Sequence, residues 1–207
     1  MSGELLIYSG HEDDDAPHTE GVALMLSRAA QRALIEWEAH GPRIITASFR
    51  TTKEKIKVNV IQCYAPTNPS EEEEKEEFYD RLQNILDKYP EKDTTILMGD
   101  FNAKVGKVNI GYEEVMRTHG LGEASENGEK FMDICALNKL VIGGSIFPHK
   151  SIHKATWVSP DHTTENQIDH ICISKKFRRS LQDVRVKRGA DVASDHHLLT
   201  ARLKLKL

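Results

Sequence analysis

The chain has 207 residues, 39% of them hydrophobic and 29% charged, with a formal net charge of −4, a composition that suits an ordinary globular domain with residues enough for one sizeable core. No apolar run approaches the roughly 20 residues that a membrane span needs, and the N-terminus has neither the basic start nor the apolar centre of a signal peptide. No membrane partner is therefore expected, and the expected compartment is the nucleus or cytoplasm.

Glu4 to Tyr8 and Gly21 to Ser27 read as two strands, the second apolar throughout and so expected to be buried. Their connection, Ser9 to Glu20, is polar and acidic. Within it Asp13, Asp14 and Asp15 read as a solvated loop because no calcium-loop spacing accompanies them, and His18 as a surface histidine. Ala29 to Ala39 mixes helix formers with Trp37 and stops at Gly41-Pro42, which reads as a helix, with a short excursion between strands as the alternative. Arg43 to Arg50 and Lys55 to Tyr64 alternate on either side of the turn-like Thr51 to Glu54, the pattern of a hairpin. Pro66 forbids further ladder bonds, so Tyr64 stands at a strand end, where a tyrosine is usually a packed ring with a wet hydroxyl. Ser70 with Glu73 forms a capping box, and Phe78, Leu82, Ile85, Leu86 and Tyr89 follow at helical spacing to Pro90. The acids from Glu71 to Glu77 suit the positive end of that helix's dipole.

Thr94 to Met98 reads as a buried strand, and Gly99 lets backbone or ligand come close. The run ends in Asp100-Phe101-Asn102. Continued as a strand, it would present Asp100 and Asn102 on one face and pack Phe101 behind them; an Asx-type turn is the competing reading. A long Gly-rich connection runs on to Gly128, of a length that tends to be functional. In it Arg117 and His119 are either contacts to a nucleic-acid backbone or plain loop polarity. A helix follows from about Gly128 to Asn138, with Phe131, Ile134, Cys135 and Leu137 facing inward.

Val141, Ile142 and Ala155 to Val158 read as further strands, separated by a basic loop with His149, Lys150, His153 and Lys154. Trp157 reads first as a core residue and second as a contact to DNA. The four histidines from His149 to His170 lack cysteine partners and compact spacing, which speaks against zinc. Cys63, Cys135 and Cys172 form no CxxC pair and read as reduced core thiols. Asn166 to Ile173 is a strand-like run with Asp169 embedded in it, and Asp195-His196 sets an acid beside an imidazole just before the alternating run Leu198 to Leu205. From Ile171 to Leu207 ten basic residues stand against three acids, a balance of +7, so residues 1 to 170 carry −11. Phosphate contacts are expected in that basic segment, with a solvated, mixed surface as the alternative.

Strands alternating with helices fit a two-sheet α/β sandwich flanked by helices. The motifs then narrow the field. Gly21 to Leu26, Cys63-Tyr64-Ala65-Pro66-Thr67, Gly99-Asp100-Phe101-Asn102, His119-Gly120-Leu121-Gly122-Glu123 with Glu126-Asn127-Gly128, Thr156-Trp157, Gln167-Ile168-Asp169-His170 and Ser194-Asp195-His196-His197 cover nearly the whole chain. In these the chain resembles the exonuclease/endonuclease/phosphatase superfamily. More narrowly it is similar to the apurinic-type endonuclease domain of non-LTR retrotransposons of the RTE/BovB kind and to craniofacial development protein 2-like proteins.

The resemblance implies a single DNase I-like domain over residues 1–207 and Mg²⁺- or Mn²⁺-dependent hydrolysis of phosphodiesters. It makes the chain a DNA-nicking endonuclease of retrotransposon origin, with duplex DNA as partner. A phosphatase or RNA-trimming relative and a catalytically dead binding or interaction module are the alternatives. It gives Asp100 the task of orienting and deprotonating water, and the Asn102 amide that of holding the water or a phosphate oxygen. His196 would donate to the phosphate, with Asp169 fixing its tautomer and raising its pKa. Tyr64 would bond the scissile phosphate and Asp195 would ligate the metal. Such domains open with a strand carrying a metal-binding Asn and then a metal-binding Glu, and nothing upstream of Gly21 matches either. The expectation is a domain lacking its first strands, with an exposed sheet edge and weakened cation affinity, and with nicking activity either retained or lost through truncation.

Overall fold

The computed structural model of the chain describes residues 3–10, 20–52, 55–190 and 194–204. The acidic triplet Asp13-Asp14-Asp15, His18, Lys53 and Glu54 of the expected turn, and Leu205 at the end of the last alternating run lie outside them. The fold is mixed α/β, as the sequence implies, and the chain falls into two units, one built from residues up to Ala65 with Glu71–Gly99, the other from Pro66–Ser70 with Asp100–Lys206. No helix among the described residues is long and apolar enough to cross a membrane.

In the first unit β1 (Leu5–Gly10) and β2 (Gly21–Leu26) pair antiparallel, with Leu5 opposite Leu26. The apolar run of β2 is buried on one face only. Val22, Leu24 and Leu26 enter a cluster with Ile7, Ile45 and Ala47, while Met25 is 68% exposed. A two-stranded ribbon has a single covered face, so the two-residue period overrides total hydrophobicity.

The helix expected over residues 29–39 is cut short. Only Arg28–Ala33 forms α1, started by the Ser27 hydroxyl accepting the Ala30 amide, and the chain then enters β3 (Leu34–Ala39). The backbone of β3 pairs with β4 (Ile44–Arg50), Ala39 opposite Ile45; this pairing outweighs the helix propensity of Ile35 to Glu38. The expected hairpin is present, β5 (Lys57–Tyr64) running back along β4 with Cys63 opposite Ile44.

Helix α2 (Glu72–Leu86) buries Phe78, Leu82, Ile85 and Leu86. Its N-cap position is Glu71 and carries no side-chain cap bond, so the capping box read from Ser70 and Glu73 does not form; the Ser70 hydroxyl instead meets that of Thr67 at 3.3 Å. Glu72, Glu73 and Glu74 stabilise the helix start through the dipole. β6 (Thr94–Asp100) follows, and β3, β4, β5 and β6 are neighbours in that order. Gly99 has φ +144°, and a Cβ there would run into the Cys63 carbonyl, so only glycine fits where β6 passes β5.

In the second unit α3 (Glu126–Leu137) begins two residues earlier than expected, its start fixed by the Ser125 hydroxyl accepting the Gly128 amide. Phe131, Ile134 and Cys135 are buried, but Leu137 is 71% exposed, since at about 100° per residue it lies on the far side of the helix from Phe131 and Cys135. β7 (Leu140–Ile142) comes next. The strand expected over 155–158 shrinks to β8 (Trp157–Val158), which pairs with β9 (Glu165–Asn166).

β10 (Asp169–Ser174) runs antiparallel to β7, and β11 (Leu181–Lys187) pairs with β12 (Leu198–Leu203). The centre of this unit is an aromatic stack: the Phe101 and Phe131 rings are 4.3 Å apart, and His170 lies 5.0 Å from Phe131. Burial lowers the His170 pKa, and its neutral ring donates from Nε2 to the Ala103 carbonyl at 2.7 Å. All three cysteines are buried and none forms a disulfide among the described residues, Cys135 and Cys172 having their sulfurs 4.0 Å apart.

Candidate functional site

Asp100 closes β6, and its Oδ1 accepts the Asn102 N–H at 2.9 Å, with Asn102 at φ +48°. This is an Asx turn. It also achieves what the strand reading asked for, because Phe101 is wholly buried while Asp100 and Asn102 stay partly exposed. The turn is pinned from behind. The Phe101 amide donates to the Ile168 carbonyl at 3.1 Å, and the buried Asn127 side chain donates to the carbonyls of Asn102 and Pro66 at 3.3 and 3.2 Å. Asn127 was legible only as part of a motif, not as the brace of the turn.

Asp169 opens β10, and one buried hydroxyl positions it: Thr156 Oγ1 accepts the amides of Ile168 and Asp169 at 3.0 and 3.1 Å. Asp169 Oδ2 then accepts from His196 Nδ1 at 3.0 Å, while His196 Nε2 faces Asp100 Oδ2 at 3.9 Å. One imidazole thus stands between two carboxylates, and one ligand atom from each of Asp100, Asp169 and His196 falls within 4.8 Å of the others. The hydrogen bond to Asp169 raises the His196 pKa against the opposing effect of burial, with Asp169, Asp100 and Asp195 adding charge attraction. Burial, then the Asp169 charge, pushes the Asp100 carboxyl up to about 6, opposed by the Asn102 amide and by His196.

Asp195 is held separately. Its Oδ2 accepts the Trp157 indole N–H at 2.8 Å, and the backbone of Trp157 bridges that of His196. Trp157 is therefore partly exposed and acts as a hydrogen-bond donor, which corrects the reading of it as a core residue. Two carboxylates that repel each other across a short gap, with a third close enough to raise Asp100 further, form a donor set of hard oxygens and one imidazole nitrogen that suits a divalent cation.

The remaining candidates each have partners of their own. Tyr64 belongs to the first unit, where its amide donates to the Arg43 carbonyl at 2.9 Å and the Arg43 guanidinium sits 5.2 Å from its ring centre. The amides of Arg117 and His119 are both bound by Ser145, at 3.0 and 3.2 Å. The histidines of the basic stretch are dispersed: His149 Nε2 lies 2.6 Å from Asp183 Oδ1, His153 Nδ1 lies 3.4 Å from the Val186 carbonyl, and His170 is in the aromatic stack.

Residues 58–200 match the endonuclease-reverse transcriptase family. Craniofacial development protein 2 of Tragulus javanicus is 38% identical over 187 residues, which cover 90% of this chain and 32% of that protein. The Bos taurus protein of the same name is 37% identical over 90% of this chain and 31% of its own length. The chain thus spans about a third of the length of the curated relatives it matches.

Among solved structures, the endonuclease domain of TRAS1, a telomere-specific non-LTR retrotransposon, aligns with a TM-score of 0.69 at 15% identity, covering 100% of this chain and 81% of that one. AP endonuclease LMAP from Leishmania major gives 0.71 at 11% identity over 97% and 71% of the two chains. The 3′ phosphatase NExo from Neisseria, bound to a product DNA hairpin, gives 0.69 at 20% over 98% and 80%. Such identities establish the DNase I-like fold alone. The sequence match establishes more: the chain belongs to the endonuclease-reverse transcriptase family, within the endonuclease/exonuclease/phosphatase superfamily.

Proposed function

We propose that this chain is a metal-dependent phosphodiesterase that nicks one strand of duplex DNA, acting in the nucleus or cytoplasm as an endonuclease of retrotransposon origin. The observation that carries the proposal is the His196 imidazole set between the carboxylates of Asp169 and Asp100. Hydrolysis of a phosphodiester needs an activated water, donors for the charge that develops on phosphorus, and help for the departing oxygen.

Asp100 supplies the base. Its Oδ1 is tied to the Asn102 amide and its Oδ2 is left to take the proton of water, with a pKa of about 6 that suits work near neutral pH. His196 supplies the donor. With Nδ1 committed to Asp169 and protonation favoured, Nε2–H is free to bond a non-bridging phosphate oxygen. The Asn102 side-chain amide adds a neutral donor for the phosphate. Asp195 would hold a magnesium or manganese ion, which supplies Lewis acidity toward the phosphoryl oxygens. The family match over residues 58–200 and the likeness to the TRAS1 endonuclease domain support this reading.

Plasmid nicking in magnesium, in manganese and in chelator tests it. The unaltered chain is expected to nick with either ion, and Asp100→Ala or His196→Ala to abolish the nick. Retained cleavage in either purified variant removes the assignment. Turnover of small phosphate monoesters without nicking would make the chain a phosphatase, and DNA binding without turnover of either substrate would make it a binding module.

A further inference from the structure

Arg117, Lys175, Lys176, Arg178 and Arg179 converge on one cavity of about 340 Å³ in the second unit. Glu113 and Glu114 share its lining. Lys175 pairs with Glu114 and, helped by Arg117, holds that carboxyl below its ordinary range. The others are less satisfied. Lys176 stands 5.6 Å from the Phe177 ring centre, and neither Arg178 nor Arg179 has an ion-pair partner among the described residues.

The scaffold beneath them is fixed. The Lys175 amide donates to the Lys139 carbonyl at 2.7 Å, residues 175–180 form a 3₁₀ helix, and the Arg117 amide is bound by the Ser145 hydroxyl. Like charges crowded on a rigid frame repel one another, and a cluster kept only for stability would be neutralised by neighbouring acids.

We propose that this cavity is a second phosphate-binding site that grips the backbone of bound nucleic acid at a distance from the reacting centre. The choice of ligand rests on the nuclease function proposed above. β10 separates the two places, with Asp169 at its first residue and Lys175 just beyond its last. At roughly 3.3 Å per residue the cluster stands about 20 Å along the strand from the Asp169 carboxylate. Charge balance favours a polyanion here. Residues 1–170 carry −11 and repel nucleic acid, whereas residues 171–207 carry +7, so attraction has to come from this part of the chain. Guanidinium forks match phosphate oxygens in pairs, and Arg178 and Arg179 are free to offer them.

The experiment is equilibrium binding of a labelled DNA duplex in chelator, over a salt series, to the full chain and to the double variant Arg178→Gln/Arg179→Gln. Melting temperature serves as the control for folding, and Lys176→Gln as a second, independent probe. The double variant is expected to bind at least tenfold more weakly at low salt, and its plot of log affinity against log salt to be shallower by about 1.8, the slope of two lost phosphate contacts.

Unchanged affinity and slope in a folded double variant would overturn the proposal. So would unchanged DNA binding together with lost affinity for poly-glutamate, which would assign the cavity to an acidic protein. Neither readout depends on cleavage. If no DNA is nicked but the slope falls, the nuclease reading fails and this site stands; if nicking is intact and the slope is unmoved, only this site fails.

Discussion

Replacing Asp100 by Asn should stabilise the fold while abolishing nicking. Burial and the Asp169 charge lift the Asp100 carboxyl from its ordinary 3.8 to about 6. The folded state therefore prefers the protonated form more strongly than the unfolded state does. The resulting penalty is absent below the unfolded pKa, grows between the two values, and is complete above the folded one. A displacement of that size corresponds to about 3 kcal/mol at neutral pH and above.

Asparagine keeps the shape and leaves a carbonyl to accept the Asn102 amide, which now bonds Oδ1 at 2.9 Å. That displacement is already net of the attraction between Asp100 and His196, so a gain of about 3 kcal/mol is expected. Urea unfolding in chelator at about pH 8 and about pH 4 measures it, and the gain should shrink toward zero at the acid end. Equal or lower stability of the variant at the higher pH, or a gain that does not change with pH, would refute the reasoning.

Asp169→Asn should lower the His196 pKa, read by NMR titration of the ring, because the bond to Asp169 is the main cause of its elevation. The stability from that pair is fully present below the ordinary histidine value of 6.5 and fades as pH rises through the elevated one. Trp157→Phe removes the donor to Asp195 and should reduce nicking roughly tenfold or more and raise the magnesium needed for half-maximal rate, with the melting temperature little changed. An unaltered magnesium dependence would separate Asp195 from the metal. Gly99→Ala should destabilise the fold by more than about 3 kcal/mol, measured by chemical denaturation, since φ +144° and the Cys63 backbone both oppose a Cβ.

The residues at the centre of the site were legible because each sits in a short motif whose chemistry is local: an acid and an amide at a strand end, an acid inside a strand, an acid next to a histidine. Their convergence is long-range, Asp169 and His196 standing 27 positions apart in the chain, and only the family resemblance anticipated it. The supporting residues were harder to see. Thr156 and Asn127 act through backbone amides and carbonyls far away in sequence, and nothing in their own neighbourhood marks that use. Trp157 carried a usable signal, since an indole N–H in a half-buried place takes a partner, but the partner is 38 residues distant. Helix formers dominate the composition of β3, so its sequence points to a helix, whereas its conformation is decided by pairing with β4.

Phe101 links chemistry to the melting of the domain. The ring that separates Asp100 from Asn102 packs against Phe131 of α3, both rings wholly buried, so the bend presenting the Asp100 carboxylate is fastened to the interior of its unit. Many enzymes lose their working loops to local opening well before the body gives way. Here such early softening has little room, and on warming, catalytic competence and folded structure should disappear together.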